Sequence, residues 1–138
     1  MIDKQILLPL LVQILLTFIL LFRLGYLRFK SLRTGSVKIK DIALGQKVWP
    51  EEALKASNSY QNQFEVPILF YTACAVAMIT QMTSFTFVIF SWVFVVSRIF
   101  HAAVHSGSNN VPRRFQLFLV GVSSAFLMWI VITLNLLT

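Results

Sequence analysis

The sequence predicts an all-α integral membrane protein, a bundle of four helices, and three observations predict it. The chain has 138 residues, of which 57% are hydrophobic and 12% charged, too apolar for a soluble globule of this size. The apolar residues gather into four runs, each near the roughly 20 residues that a helix needs to cross a hydrocarbon core. Of the 12 Lys and Arg residues, all but Lys4 fall either between Arg23 and Lys55 or at Arg98, Arg113 and Arg114. A net charge of +7 held in two places describes membrane topology rather than a nucleic-acid surface, so no nucleic-acid partner is expected.

The first span is expected over about 6–27. It is expected to be a retained transmembrane helix and not a signal peptide: Asp3 and Lys4 cancel, the apolar run is longer than a signal core, and no small-residue cleavage site follows. GlyTyr at 25–26 and ThrGlySer at 34–36 read as breakers, opening a basic loop over 28–56 that faces lipid headgroups. The second span is expected over about 57–80, and the third over about 85–105. The GlnMetThrSer connection between them is short enough to force an antiparallel hairpin. Pro112 fits the start of the fourth span, about 113–136. With four spans, the two cationic connections share a side. The positive-inside rule puts them in the cytoplasm and both termini on the non-cytoplasmic side. One domain over 1–138 is expected, in a bacterial inner membrane by preference or a eukaryotic endomembrane otherwise. The lone Cys74 lies in an apolar run and reads as a small packed side chain.

Polar groups inside spans are expensive, and each one invites a functional reading. The second span opens with NSYQNQFEVP, residues 58–67. On a continuous helix Asn58, Asn62 and Glu65 share a stripe, with Gln61 beside it and Pro67 in the helix body. In the third span Arg98, His101 and His105 fall at i, i+3 and i+7, again on one face. Arg113 and Arg114 open the fourth. Glu65 and Arg98 are expected to pair, either as glue between helices or as part of a site. The two arginines at 113 and 114 fit ordinary snorkelling as well as ligand binding. His101 and His105 have the spacing of a metal pair but lack a usual third ligand, so no metal site is expected. Together these residues form a pocket of amides, a carboxylate, imidazoles and guanidiniums. Such a pocket suits a small ligand that carries carboxylates and an amine.

At this point the sequence resembles the MAPEG family, the membrane-associated proteins in eicosanoid and glutathione metabolism. NSYQNQFEVP is similar to that family's second-helix signature, through Asn62, Glu65 and Pro67. RIFHAAVH at 98–105, followed by ProArgArg at 112–114, is similar to its third helix and the start of its fourth. The resemblance implies a homotrimer of four-helix protomers, with glutathione as co-substrate at the subunit interfaces near the cytoplasmic face. It implies that Asn62, Glu65, Arg98 and one of Arg113 and Arg114 hold glutathione, with Arg114 near the sulfur as the catalytic arginine. Asn58, Gln61, His101 and His105 complete the expected ligand set. The sequence departs from the family pattern at Asn58, where active members usually carry arginine. It departs again at Tyr60, where they often have His or Gln, and at His105, where tyrosine is common.

The resemblance implies a membrane glutathione transferase or peroxidase-like protein that activates the thiolate against lipophilic electrophiles or lipids. The alternative is a non-catalytic lipid-binding or partner-regulating protein of the same fold. A small transporter is a third reading, which the apolar outer halves of the spans disfavour.

Overall fold

The structure, a computed structural model, describes residues 4–137 apart from 44, 46 and 47. Helix α1 runs over Lys4–Arg33. At about 1.5 Å per residue it is some 45 Å long, well beyond the roughly 30 Å of a hydrocarbon core. It passes straight through Gly25 and Tyr26, contrary to the expectation of a breaker there. One glycine in a helix interior costs only about 1 kcal/mol, and nothing lies within 4 Å of where its side chain would be. The helix ends instead at ThrGlySer. Gly35 takes the left-handed φ of +72° that a side chain would disfavour, and its N–H closes on the Leu32 carbonyl at 3.1 Å. A single turn, α2, follows at Ile39–Ile42.

The second span is a broken helix that starts earlier than expected. Helix α3 covers Glu51–Gln61, a 3-10 turn covers Asn62–Phe64, and α4 covers Val66–Ile79. Glu65 is the joint, with φ −98° and ψ −104°. Pro67 therefore occupies the second position of a new helix and not the body of a continuous one. In that first turn its missing N–H would have had no partner in any case.

Helix α5 covers Phe85–Ser106, and Ser84 caps it by accepting from the Phe87 N–H at 3.2 Å. Helix α6 covers Val111–Leu137. Each of the four helical stretches, with α3 and α4 taken as one, is long and apolar enough to cross a membrane. No strand occurs among the described residues.

The buried core runs along α4, α5 and α6. Phe70 and Phe94 stack with ring centroids 4.5 Å apart, within a cluster that includes Ala73, Ala77, Met128 and Ile132. Small residues bring α5 and α6 together. Gly121 of α6 lies where an added Cβ would meet Ser97 Oγ at 3.0 Å and Arg98 Cδ at 3.5 Å. Ser124 Oγ donates across the same interface to the Phe90 carbonyl at 2.7 Å. Close backbone approach of this kind is how helices gain packing where lipid supplies no hydrophobic drive.

A second apolar cluster joins α1 to α3 through Leu24, Leu27, Ala53 and Ala56. Beside it, the Arg28 guanidinium lies 5.1 Å from the Trp49 ring centroid and donates to Ser57 Oγ at 3.3 Å. Arg23 Nη2 donates to the Ser106 carbonyl at 3.1 Å. It thereby fixes the end of the bundle where α1 and α5 finish and α3 and α6 begin.

Candidate functional site

Three polar side chains of α5 face inward at this end. Arg98 is fully buried, and His101 and His105 are only 3% and 2% exposed. Their i, i+3, i+7 spacing puts them on the face that meets α6 and the broken helix. Arg98 Nη2 donates to the Asn62 carbonyl at 3.3 Å, whereas its Nε and Nη1 are buried with no partner. The two imidazoles meet edge to face at 5.6 Å, and both Nδ1 atoms are buried without a partner.

The turn after α5 supplies the opposing wall. Asn110 Oδ1 accepts from the Arg113 backbone N–H at 3.1 Å, capping α6. Arg114 Nη1 donates to Asn109 Oδ1 at 2.6 Å, and Arg114 Nε is buried without a partner. Between these elements lies a cleft of about 240 Å³, lined by Asn62, His101, Val111, Arg114, Phe115 and Phe118. Its donors sit beside an apolar wall, an arrangement that holds an anion or carboxylate next to a greasy group.

The other expected site residues are placed differently. Glu65 makes no ion pair with Arg98; among the described residues the ion pair present is Lys55–Glu51 at 2.7 Å. The broken backbone at Glu65 takes its side chain off the α3 stripe, and it ends exposed. Asn58 and Gln61 are exposed, and the Asn58 backbone carbonyl accepts from Asn62 Nδ2 at 3.3 Å. Arg113 is exposed. The structure therefore gathers Asn62, Arg98, His101 and Arg114, with His105 behind them. Asn58, Gln61, Glu65 and Arg113 stay on the surface. Among the described residues no group of three or more His, Cys, Asp or Glu side chains could hold a metal ion.

Several residues that build the site carry no signal in the expected stripe. Gln13 of α1 donates to Gln63 Oε1 at 2.9 Å, and Gln63 Nε2 donates to the Ser59 carbonyl at 3.2 Å, all buried. The signal available in sequence was a lone amide within the first apolar run. Gly121 and Asn109 are ordinary residues until the packing and the turn are seen.

Four membrane-length helices, with polar side chains gathered around a cleft at one end, describe an integral membrane helical protein. A sequence model of the MAPEG family matches residues 6–134, and the chain belongs to that family. Searches of curated proteins and of solved structures gave no match.

Proposed function

We propose that the protein binds glutathione in the cleft lined by Asn62, His101 and Arg114, against the buried Arg98 guanidinium, and activates it as a thiolate for attack on lipophilic electrophiles, as a transferase or a peroxidase. The observation that carries this reading is the set of buried nitrogens without acceptors: Arg98 Nε and Nη1, and Arg114 Nε. A buried donor left unpaired costs about 1–3 kcal/mol, and more when charged, so a ligand that brings carboxylates would relieve it. Glutathione brings two carboxylates and supplies the nucleophilic sulfur. Arg98 would hold a carboxylate, Asn62 a peptide group, and Arg114 would sit by the sulfur. Its positive charge favours the thiolate over the thiol, so the nucleophile forms at neutral pH without a covalent enzyme intermediate. The apolar side chains of Val111, Phe115 and Phe118 would admit a lipophilic partner from the bilayer.

This reading takes the cleft to lie near the cytoplasmic face, with both termini on the other side, and the protein to be a homotrimer. In a trimer the exposed Asn58, Gln61 and Glu65 are available to a neighbouring protomer's ligand. Exposed Glu65 would then meet the ligand's amine.

A second reading, non-catalytic lipid binding, is favoured by a different feature. A larger groove of about 460 Å³ lies between α1 and the broken helix, lined by Ile14, Thr17, Phe18, Leu21, Tyr60, Phe64 and Tyr71.

The deciding experiment is a glutathione titration of the detergent-solubilised protein, followed by ultraviolet difference absorption of bound thiolate. A saturable signal that is lost in Arg114→Ala is the expected result. No signal at millimolar glutathione would leave the lipid-binding reading standing.

A further inference from the structure

The arginine proposed to stabilise the thiolate does not hold its own position. Its guanidinium is anchored by one side chain, Asn109, through the 2.6 Å bond from Arg114 Nη1 to Oδ1. Asn109 is itself in an unusual place. Its φ is +53°, one of two positive values among non-glycine residues in the described chain. Its backbone N–H donates to the Val104 carbonyl at 2.7 Å, closing the C-terminus of α5. Asparagine, aspartate and glycine tolerate this left-handed conformation far better than other residues, and of the first two only asparagine offers a neutral oxygen. The neighbouring Asn110 caps α6 through the Arg113 N–H, so the turn fixes the backbone of the arginine pair while Asn109 fixes the Arg114 head group.

We infer that Asn109 is the positioning residue that aims Arg114 into the cleft and, by being neutral, leaves the full guanidinium charge available to the sulfur. This rests on the proposed glutathione reading of the same cleft. In the step concerned, the S–H bond breaks, its electron pair stays on sulfur and the proton passes to water. Asn109 contributes no atom to that exchange. The other charged or titratable groups on the elements around Arg114 are His101 and His105 of α5, with Arg98 one turn before them, and Arg113 beside it. None of them bonds to the Arg114 guanidinium.

Two substitutions separate aim from charge. Asn109→Asp keeps the backbone conformation and the acceptor but pairs the guanidinium with a carboxylate. Asn109→Gly keeps the conformation and removes the acceptor. The readout is the pH titration of the bound-thiolate absorption at saturating glutathione, in detergent-solubilised protein whose helical melt is recorded alongside. Asn109→Asp is expected to move the thiolate titration about one unit to higher pH, so that the thiolate present at neutral pH falls several-fold. Asn109→Gly is expected to weaken the signal with a smaller shift. A purely structural role would lower the melting temperature without moving the titration. Wild-type titration curves in both variants would overturn the inference and leave the glutathione reading intact. Absence of bound thiolate in the wild-type protein itself would overturn that reading, and the inference with it.

Discussion

Gln13 Nε2 donates to Gln63 Oε1 at 2.9 Å between two fully buried side chains, one on α1 and one in the 3-10 turn of the broken helix. This bond holds the break in place one residue from Asn62, whose carbonyl receives Arg98. Gln13→Leu strands the Gln63 oxygen. An unsatisfied buried acceptor costs about 1–3 kcal/mol, but measured couplings between membrane helices average only about 0.6 kcal/mol. Gln13 Oε1 is already unpaired, and its removal offsets part of the loss. The expected cost is therefore about 1 kcal/mol, with partial recovery in the Gln13→Leu/Gln63→Leu double variant. Thermal unfolding in detergent across the four proteins of this cycle checks it.

Arg98 is a test of site against scaffold. It is fully buried with a single hydrogen bond, so an apolar residue of similar length should not lower stability. Arg98→Met is expected to melt at the wild-type temperature or above it. The same variant is expected to bind glutathione about 10- to 100-fold more weakly, the worth of one charge-assisted hydrogen bond. Calorimetric titration beside a melt reads both; a large drop in melting temperature would make Arg98 a structural residue.

Gly121 sets how closely α6 approaches Arg98. In Gly121→Ala the new methyl would sit 3.0 Å from Ser97 Oγ, so that hydroxyl must move by a few tenths of an ångström. Alanine gains about 1 kcal/mol of helix propensity, which offsets the crowding and leaves the melting temperature nearly unchanged. Gly121→Leu has no such compensation and is expected to cost about 1–3 kcal/mol through overpacking. A melting series of the two variants checks the contrast.

The two adjacent arginines are expected to behave differently. Arg114 lines the cleft and Arg113 is exposed. Arg114→Ala should abolish the bound-thiolate signal while leaving the fold intact. Arg113→Ala should keep at least half of that signal, since only its backbone N–H has a structural partner. Equal losses in both would remove the distinction.

Glu65→Gln is expected to change stability by no more than about 0.5 kcal/mol, because the side chain is exposed and forms no ion pair. A direct bond to Arg98 would have made this substitution strongly destabilising. A shift in glutathione affinity without a shift in melting temperature would support a role toward the ligand's amine. Isothermal titration beside a thermal melt separates the two effects.

The helical class, the four apolar stretches and the inward face of α5 were all legible in the sequence. Hydrophobic run length and the 3.6-residue period act locally, so they survive without knowledge of any neighbour. The family too was carried by local order, through Asn62, Glu65 and Pro67 followed by Arg98 and ProArgArg. The stripe drawn through Asn58, Asn62 and Glu65 assumed a continuous helix, and the backbone breaks within it. Once Pro67 starts a new helix, Glu65 no longer points where a 3.6-residue period would put it. Which of two adjacent arginines enters the cleft depended on the turn before α6. That turn places Asn109 against Arg114 and leaves Arg113 outside. The Gln13–Gln63 bond joins residues 50 positions apart, and Gly121 matters only because Ser97 and Arg98 lie against it. Such choices belong to tertiary packing because each depends on the distance between separate helices. Composition and periodicity describe one helix at a time and contain no term for that distance.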